Sequence, residues 1–325
     1  MKDIVFLKEE PLTPEEVENL AFSIMPPAVR DIFLKNKEVD FPYEKKGLVR
    51  FRVNVYTQRQ TIAISMRLIK LNIPSIEELG LPTILKNLAT KKAGLILVTG
   101  PSGSGKSTTL AAMIEYLNQN ESLNIITIED PIEYVFTDKL SLISQREIGI
   151  DTSSFYTALK MALREDPNII MVGELRDLES VSVALQAAET GHLVLSTLHT
   201  IDAVSTISRI VDMFPPYQQN QVRYQLASTL VGVISQRLLK RKDKTGLVPA
   251  CEVLIGTSTV RKWIRENKLS EIPKIIEEGR LEGMQSFNQH LLELYRANII
   301  DANEALMASP NPSDLELAIK GIVSG

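Results

Sequence analysis

Short, almost unbroken apolar runs separated by longer stretches of helical periodicity dominate the chain from Leu81 onward: Leu95 to Val98, Ile125 to Ile128, Ile169 to Val172 and Leu193 to Leu198. Strands that are apolar at nearly every position, rather than at every second one, are buried on both faces. The pattern therefore predicts a mostly parallel sheet flanked by helices. The N-terminal part reads differently. Leu12-Thr13-Pro14-Glu15-Glu16-Val17 predicts a helix start, with Thr13 as cap, Pro14 in the first turn and Glu16 three residues after the cap; a partner helix follows near Pro27 to Asn36. Gly47 to Tyr56 and Gln60 to Ile69 predict an antiparallel pair. Leu71 to Pro82, with Pro74, Gly80 and Pro82, reads as a linker with a short helix. A second β pair is expected around Leu247 to Ile255, then helices, the last capped by Ser313 with Glu316. The expected organisation is a small α+β domain over residues 1–72, a linker over 73–82 and a larger α/β domain over 83–325.

Composition narrows the class. The chain has 325 residues, 44% of them hydrophobic, and a net charge of -4, which suits a globular protein of more than one domain and not a surface that coats nucleic acid. Its basic cluster, Arg237, Lys240, Arg241, Lys242 and Lys244, runs into Asp243 and Thr245-Gly246 and reads as a solvated hairpin turn. A single cysteine, Cys251, permits no internal disulfide and, with no CxxC pair, argues against a structural zinc site; it lies in the alternating run Val248 to Ile255, as a core residue would. No stretch has the length of a membrane span, and Met1-Lys2-Asp3-Ile4 starts no signal peptide. The expected location is cytoplasmic, with any membrane attachment supplied by partners.

The first chemical signal is Gly100-Pro101-Ser102-Gly103-Ser104-Gly105-Lys106-Ser107, which leaves one apolar run and enters the helical stretch Thr108 to Ile114. Strand, glycine-rich turn and helix is the context of a phosphate-binding loop. Glycines let successive backbone N–H groups close around a triphosphate, a lysine adds a point charge at the outer phosphates, and the hydroxyl after it ligates Mg²⁺. Ser102, Gly103, Ser104, Gly105, Lys106, Ser107 and Thr108 are thus candidate contacts for ATP.

Acids and histidines supply the rest. Glu129, Asp130 and Glu133 follow the second strand, and Glu174 follows the third, on the edge where ligands bind in such folds. A carboxylate there either holds Mg²⁺ through water or deprotonates the attacking water, so Glu129, Glu133 and Glu174 are candidate catalytic groups and Ser107 with Glu174 a candidate metal site. Gly173 stands where an Asp is usual before such a glutamate. His192 and His199 bracket the fourth strand; Thr197, His199 and Thr200 end it where a γ-phosphate can be sensed, and His192 is a further candidate for the nucleotide.

Taken in order, the phosphate-binding loop, Ile128-Glu129-Asp130-Pro131-Ile132-Glu133, Met171-Val172-Gly173-Glu174-Leu175-Arg176-Asp177 and Thr190-Gly191-His192…Thr197-Leu198-His199-Thr200 resemble the four motifs of the type II/type IV secretion ATPases. Within them, Ala188 to His192, Arg209 to Pro215, Val233 to Leu238 and Gly283 to Phe287 resemble the type IV pilus retraction ATPases, and no four-cysteine insertion of the assembly and secretion members is present. The resemblance spans about residues 12 to 310. It departs at Lys262 and Trp263 and in the N-terminal PAS-like domain, which reads as short.

That resemblance implies a RecA-like ATPase domain after a truncated PAS-like α+β domain. It implies a Mg²⁺-dependent homo-hexamer that turns ATP hydrolysis into domain rotation, disassembles a type IV pilus and works against an inner-membrane pilus platform protein. It further implies that Arg52 and Arg67, and secondarily Arg50, reach a nucleotide across a domain or subunit boundary. Pilus assembly or type II secretion is the alternative. A nucleic-acid translocase of RecA type is disfavoured by the acidic charge and the single Trp263.

Overall fold

The computed structural model describes residues 5–7, 10–45, 49–69 and 72–322. It consists of two compact units, Met1–Asn72 and Ile73–Gly325. The expectations at Met1-Lys2-Asp3-Ile4, at Gly47 and at Leu71 lie outside the described residues.

In the first unit, α1 (Pro14–Ile24) and α2 (Pro27–Asn36) precede three antiparallel strands, β1 (Glu38–Lys45), β2 (Val49–Gln58) and β3 (Thr61–Ile69), paired in that order. The Thr13 cap forms: Thr13 Oγ1 accepts from the Glu16 amide at 3.3 Å and the Glu16 carboxylate accepts from the Thr13 amide at 2.7 Å. Val53, Val55 and Phe41 bury themselves with Ala21 and Phe33 of the helices and with Met25 just past α1. Strand β1 escaped the sequence because it carries Pro42, opposite Arg52; an edge strand tolerates proline, since one side needs no ladder donor.

The second unit is built on one sheet of seven strands, β4 (Gly94–Thr99), β5 (Asn124–Glu129), β6 (Leu142–Glu147), β7 (Ile169–Val172), β8 (Leu193–Leu198), β9 (Leu230–Lys240) and β10 (Leu247–Ile255), ordered β10-β9-β4-β8-β7-β5-β6. All neighbours are parallel except β9 and β10. Alternate side chains feed two cores. Leu95, Leu97, Ile126, Ile128, Ile170, Val172 and Val194 pack under α5 (Phe155–Ala162), α6 (Leu178–Glu189), α7 (Ala203–Asp212), α8 (Pro216–Thr229), α9 (Ser258–Arg265) and α10 (Ile272–Glu278). On the other face Ile96, Val98, Ile125, Ile169, Met171 and Leu195 pack under α3 (Ile84–Ala89) and α4 (Lys106–Asn120). A third cluster joins Leu239, Val248 and Ala250 to α11 (Phe287–Arg296), α12 (Ala302–Ala308) and α13 (Pro312–Ile319).

Several local expectations change. The second β pair is the hairpin β9–β10 at the edge of the main sheet, with Asp243 accepting from the Thr245 amide in its turn. Strand β6 was missed because an edge strand can be polar. No helix forms in 72–82: Ser75 and Glu78 cap each other as at a helix start, but Gly80, at φ 68°, turns the chain away after one turn. Ser313 does not cap α13, because Pro312 starts that helix one residue earlier and makes Asn311 its first residue out.

A half-buried acid of this second unit adds a dependence on pH. Glu252 of β10 accepts from the Ala203 amide at the start of α7, at 2.8 Å. Burial pushes its carboxyl up to about 7, against the opposing pull of that amide and of Arg237. The folded chain therefore keeps the proton to about pH 7, while the unfolded chain releases it near 4.5. Its stabilising contribution is whole below the lower value, at most about 3 kcal/mol, and is lost as the pH rises through the upper one. Glu252→Gln, neutral throughout, is expected to flatten the decline of Tm between about pH 4.5 and 7; thermal melts with a slope equal to the parent's contradict this.

Candidate active site

At the C-terminal edge of the parallel strands, four segments converge on one cavity of about 450 Å³. The loop between β4 and α4 forms one wall. Gly100, Gly103 and Gly105 hold φ of 143°, 77° and 90°, a region that suits glycine, and Gly105 is the residue from which α4 starts. Lys106 lies in the first turn, its Nζ donating to the Gly100 and Pro101 carbonyls at 2.8 and 3.1 Å. Burial lowers its pKa, and the charges of Glu174 and then Glu133 oppose that, so the ammonium faces both acids.

The acids come from the ends of β5 and β7. Ser107 Oγ donates to Glu133 Oε1 at 2.9 Å, and the Thr108 hydroxyl meets the Tyr134 hydroxyl at 2.9 Å, which binds the segment after β5 to the first turn of α4. Glu129 closes β5 and is 7% exposed. Burial raises its pKa, opposed by hydrogen bonds from Thr127 at 2.7 Å and Gln145 at 3.0 Å. Glu174, just past β7, receives the Arg176 guanidinium at 2.8 Å on one oxygen and approaches His199 Nε2 at 3.3 Å with the other. That contact strengthens the proton hold of Arg176. Gly173 keeps the turn before Glu174 close to β5: a Cβ there meets the Ile128 carbonyl at 3.3 Å. An aspartate at that position has little room.

Ser102, Gly103, Gly105, Lys106, Ser107, Thr108, Glu129, Glu133, Glu174 and His199 all line this cavity. Ser104 is turned inward and 3% exposed. Thr197 also lines it, although its hydroxyl donates to the Gly173 carbonyl at 2.7 Å, and Thr200 pairs with Thr206 at 2.6 Å. His192 is a correction. It precedes β8, whereas the cavity lies past the strand's other end, roughly 20 Å along an extended chain; its Nδ1 lies 3.0 Å from the Ala187 carbonyl. A histidine at the start of a parallel strand is on the wrong edge to meet a ligand bound by its own chain. Arg52 and Arg67 belong to the first unit, directly opposite each other on β2 and β3, with Arg52 3.8 Å from Asp40 and Arg50 3.6 Å from Glu44.

Residue-by-residue reading missed Tyr134, Gln145 and Arg176. Gln145 donates to Glu129 and to the Tyr134 carbonyl at 2.9 Å and accepts from the Phe136 amide at 2.9 Å, so one side chain orders the whole acidic segment. Its signal was absent because it lies on the unrecognised strand β6. Arg176 stood inside a quoted motif, two residues after the glutamate it holds.

Residues 36–311 match the model of the family described as Type II/IV secretion system protein. The twitching motility protein of Neisseria gonorrhoeae is 46% identical over 304 residues, which cover 94% of this chain and 81% of that one. The type IV pilus retraction ATPase PilT of Pseudomonas aeruginosa is 45% identical over 303 residues, covering 93% and 88%. Among solved structures, the pilus retraction motor PilT with bound ADP matches with a TM-score of 0.88 at 51% identity, over 94% of this chain and 87% of that one. Because the family match takes in every strand of both sheets, from β1 to β10, this chain belongs to the Type II/IV secretion system protein family.

Proposed function

We propose that this chain is the ATP-hydrolysing subunit of a ring motor that retracts and disassembles a type IV pilus, and so drives twitching motility. One observation carries the reading: a phosphate-binding loop, Glu133, Glu174 and His199 line a single cavity in a fold that matches an ADP-bound retraction motor. Ring assembly as a homo-hexamer, work at the cytoplasmic face and contact with an inner-membrane platform protein belong to the same proposal. No helix among the described residues is long and apolar enough to cross a membrane, so attachment through such a partner suits the chain. The first unit and the ATPase unit, joined near residues 73–82, would be the two bodies whose relative rotation does the work.

In this reading the loop amides and Lys106 bind the outer phosphates. The ligand atoms around Ser107 fit Mg²⁺: a hydroxyl and a carboxylate 2.9 Å apart are hard oxygen ligands, and the four acids Glu129, Asp130, Glu133 and Glu174 outnumber Lys106 and Arg176 in the cavity lining, a negative charge that a bound cation would offset. Ser107 with Glu133, and Glu174 through water, would hold the ion, which supplies charge neutralisation on the phosphate oxygens. Glu174 orients the attacking water and takes its proton, with Arg176 and His199 fixing its two oxygens. Arg52 and Arg67 face each other across neighbouring strands, and Asp40, 3.8 Å from Arg52, offsets only one of these two like charges. That suits guanidinium groups offered to the phosphates of another domain or subunit.

Glu174→Gln is expected to keep ATP affinity within about threefold and to lose turnover by a factor of at least about 10². Equilibrium ATP binding beside steady-state hydrolysis measures it; persistent turnover together with a dead Glu133→Gln moves the base to the first acidic segment.

Arginine action between subunits has its own signature. A Lys106→Ala subunit cannot hydrolyse ATP yet still offers its arginines to a neighbour. Doping it into inactive Arg67→Ala rings is expected to restore some turnover, since a finger is worth about 10³ to 10⁵ in rate, or about 4 to 7 kcal/mol of barrier. No rescue at any ratio, with subunit exchange confirmed, confines Arg67 to its own chain.

Direction of force is tested in a piliated host. Deletion is expected to abolish twitching and leave many pili. Loss of pili instead assigns the motor to assembly.

A further inference from the structure

Gln236, in the middle of β9, is 2% exposed and touches both the phosphate-binding loop and the helix that follows it. Its Nε2 donates to the Ser104 carbonyl at 2.7 Å, and its Oε1 accepts from Thr109 Oγ1, in the second turn of α4, at 2.7 Å. The amide can take only one orientation here. A carbonyl oxygen accepts and never donates, so the nitrogen must face Ser104, and the Thr109 hydroxyl is left to donate to the oxygen.

The loop is shaped for this side chain. A Cβ at Gly105 would meet Gln236 Nε2 at 2.8 Å, and one at Gly100 would meet the backbone carbonyl of Gln236 at 2.3 Å. Both glycines therefore let β9 approach as well as letting the loop turn. One residue earlier on β9, the Ser235 hydroxyl meets Thr99 at the end of β4 at 3.0 Å, so the two strands are fastened where the loop departs.

We infer that Gln236 is a positioning residue for phosphate binding: its side-chain amide fixes the Ser104–Gly105 peptide with the carbonyl toward β9 and the N–H toward the nucleotide. The inference rests on the nucleotide-binding reading of this cavity. Its physical basis is peptide planarity. In a trans peptide the C=O and the following N–H point in opposite directions, so holding the Ser104 oxygen at Gln236 turns the Gly105 N–H toward the cavity that Gly105 lines. Glycine makes the opposite orientation accessible, because its φ is unrestricted; a flipped peptide would present a carbonyl oxygen to a polyphosphate where a donor is required. The loop thus needs an outside constraint, and Gln236 supplies it without touching the ligand.

The test uses the full chain. Dissociation constants for ATP and for ADP, turnover at saturating ATP and the melting temperature without nucleotide are measured for the parent, Gln236→Met, Thr109→Val and Thr109→Ser. Gln236→Met is expected to weaken ATP and ADP together by about tenfold while turnover at saturation falls less than about threefold. Thr109→Val, which frees the far end of the amide, is expected to weaken both by a smaller factor, and Thr109→Ser to restore the parent affinity. Parent-like affinity in Gln236→Met, with only its melting temperature lowered, overturns the inference. If Gln236→Met does not fold, the Thr109 pair decides, and equal affinities of Thr109→Val and Thr109→Ser overturn it. A parent chain that binds neither nucleotide overturns the nucleotide-binding reading itself, a result separable from the others.

Discussion

Everything in the larger unit depends on a sheet whose inner strands β4, β7 and β8 have no solvent-facing side. Every residue of β4, β7 and β8 is buried, so no charged side chain can sit within those strands without a partner. The few polar groups there are spent internally, as when Ser196 Oγ donates to the Val172 carbonyl at 2.6 Å. Charge is thereby driven to the strand ends. Because β4, β8, β7 and β5 run parallel, their C-terminal ends share one edge, and groups far apart in the chain arrive there together. The helix that begins at Lys106 points its N-terminus at the same place.

That edge is electrostatically tense. Four carboxylates line the cavity, and the nearest cations are Lys106 and Arg176. Hydrogen bonds divide the strain: Glu129 is kept among Thr127 and Gln145 although burial favours its proton, Glu133 takes the Ser107 hydroxyl, and Glu174 takes Arg176 and His199. Each acid thus has a distinct environment, and distinct environments are what allow chemically identical groups to divide the work of holding a cation and moving a proton. The supports reach outward. Lys139 closes on Glu115 of α4, and the Lys139 amide donates to Asn118 at 3.0 Å, so the segment carrying Glu133 and Tyr134 is tied down at both ends.

What could be read ahead of the structure follows from how local each signal is. The phosphate-binding loop is eight consecutive residues, and its glycines, lysine and hydroxyl announce themselves together. The four apolar strands were equally plain, since burial on both faces leaves a run with little polar interruption. Edge elements were not. Strand β1 with its proline and strand β6 with its polar residues face solvent on one side and lose that run. The short helix expected in the linker does not form: Ser75 and Glu78 make the mutual hydrogen bonds of a helix start, but the turn fails to propagate at Gly80.

The sequence by itself determined the chemistry on offer: which residues can cradle phosphate, accept a proton or carry a fixed positive charge, and that they sit at the ends of buried strands. Tertiary structure alone decided which of them meet. His192 and His199 lie on the two ends of one strand and look alike in the sequence, yet only His199 reaches the cavity, because a strand separates its ends by its full length. Gln145 looked like an ordinary polar residue, and Gln236 stood within the run Val233 to Leu238 without a role of its own. Pairing of β6 with β5 and of β9 with β4 brings their amides to Glu129 and to Ser104, contacts of long sequence separation that no local pattern encodes.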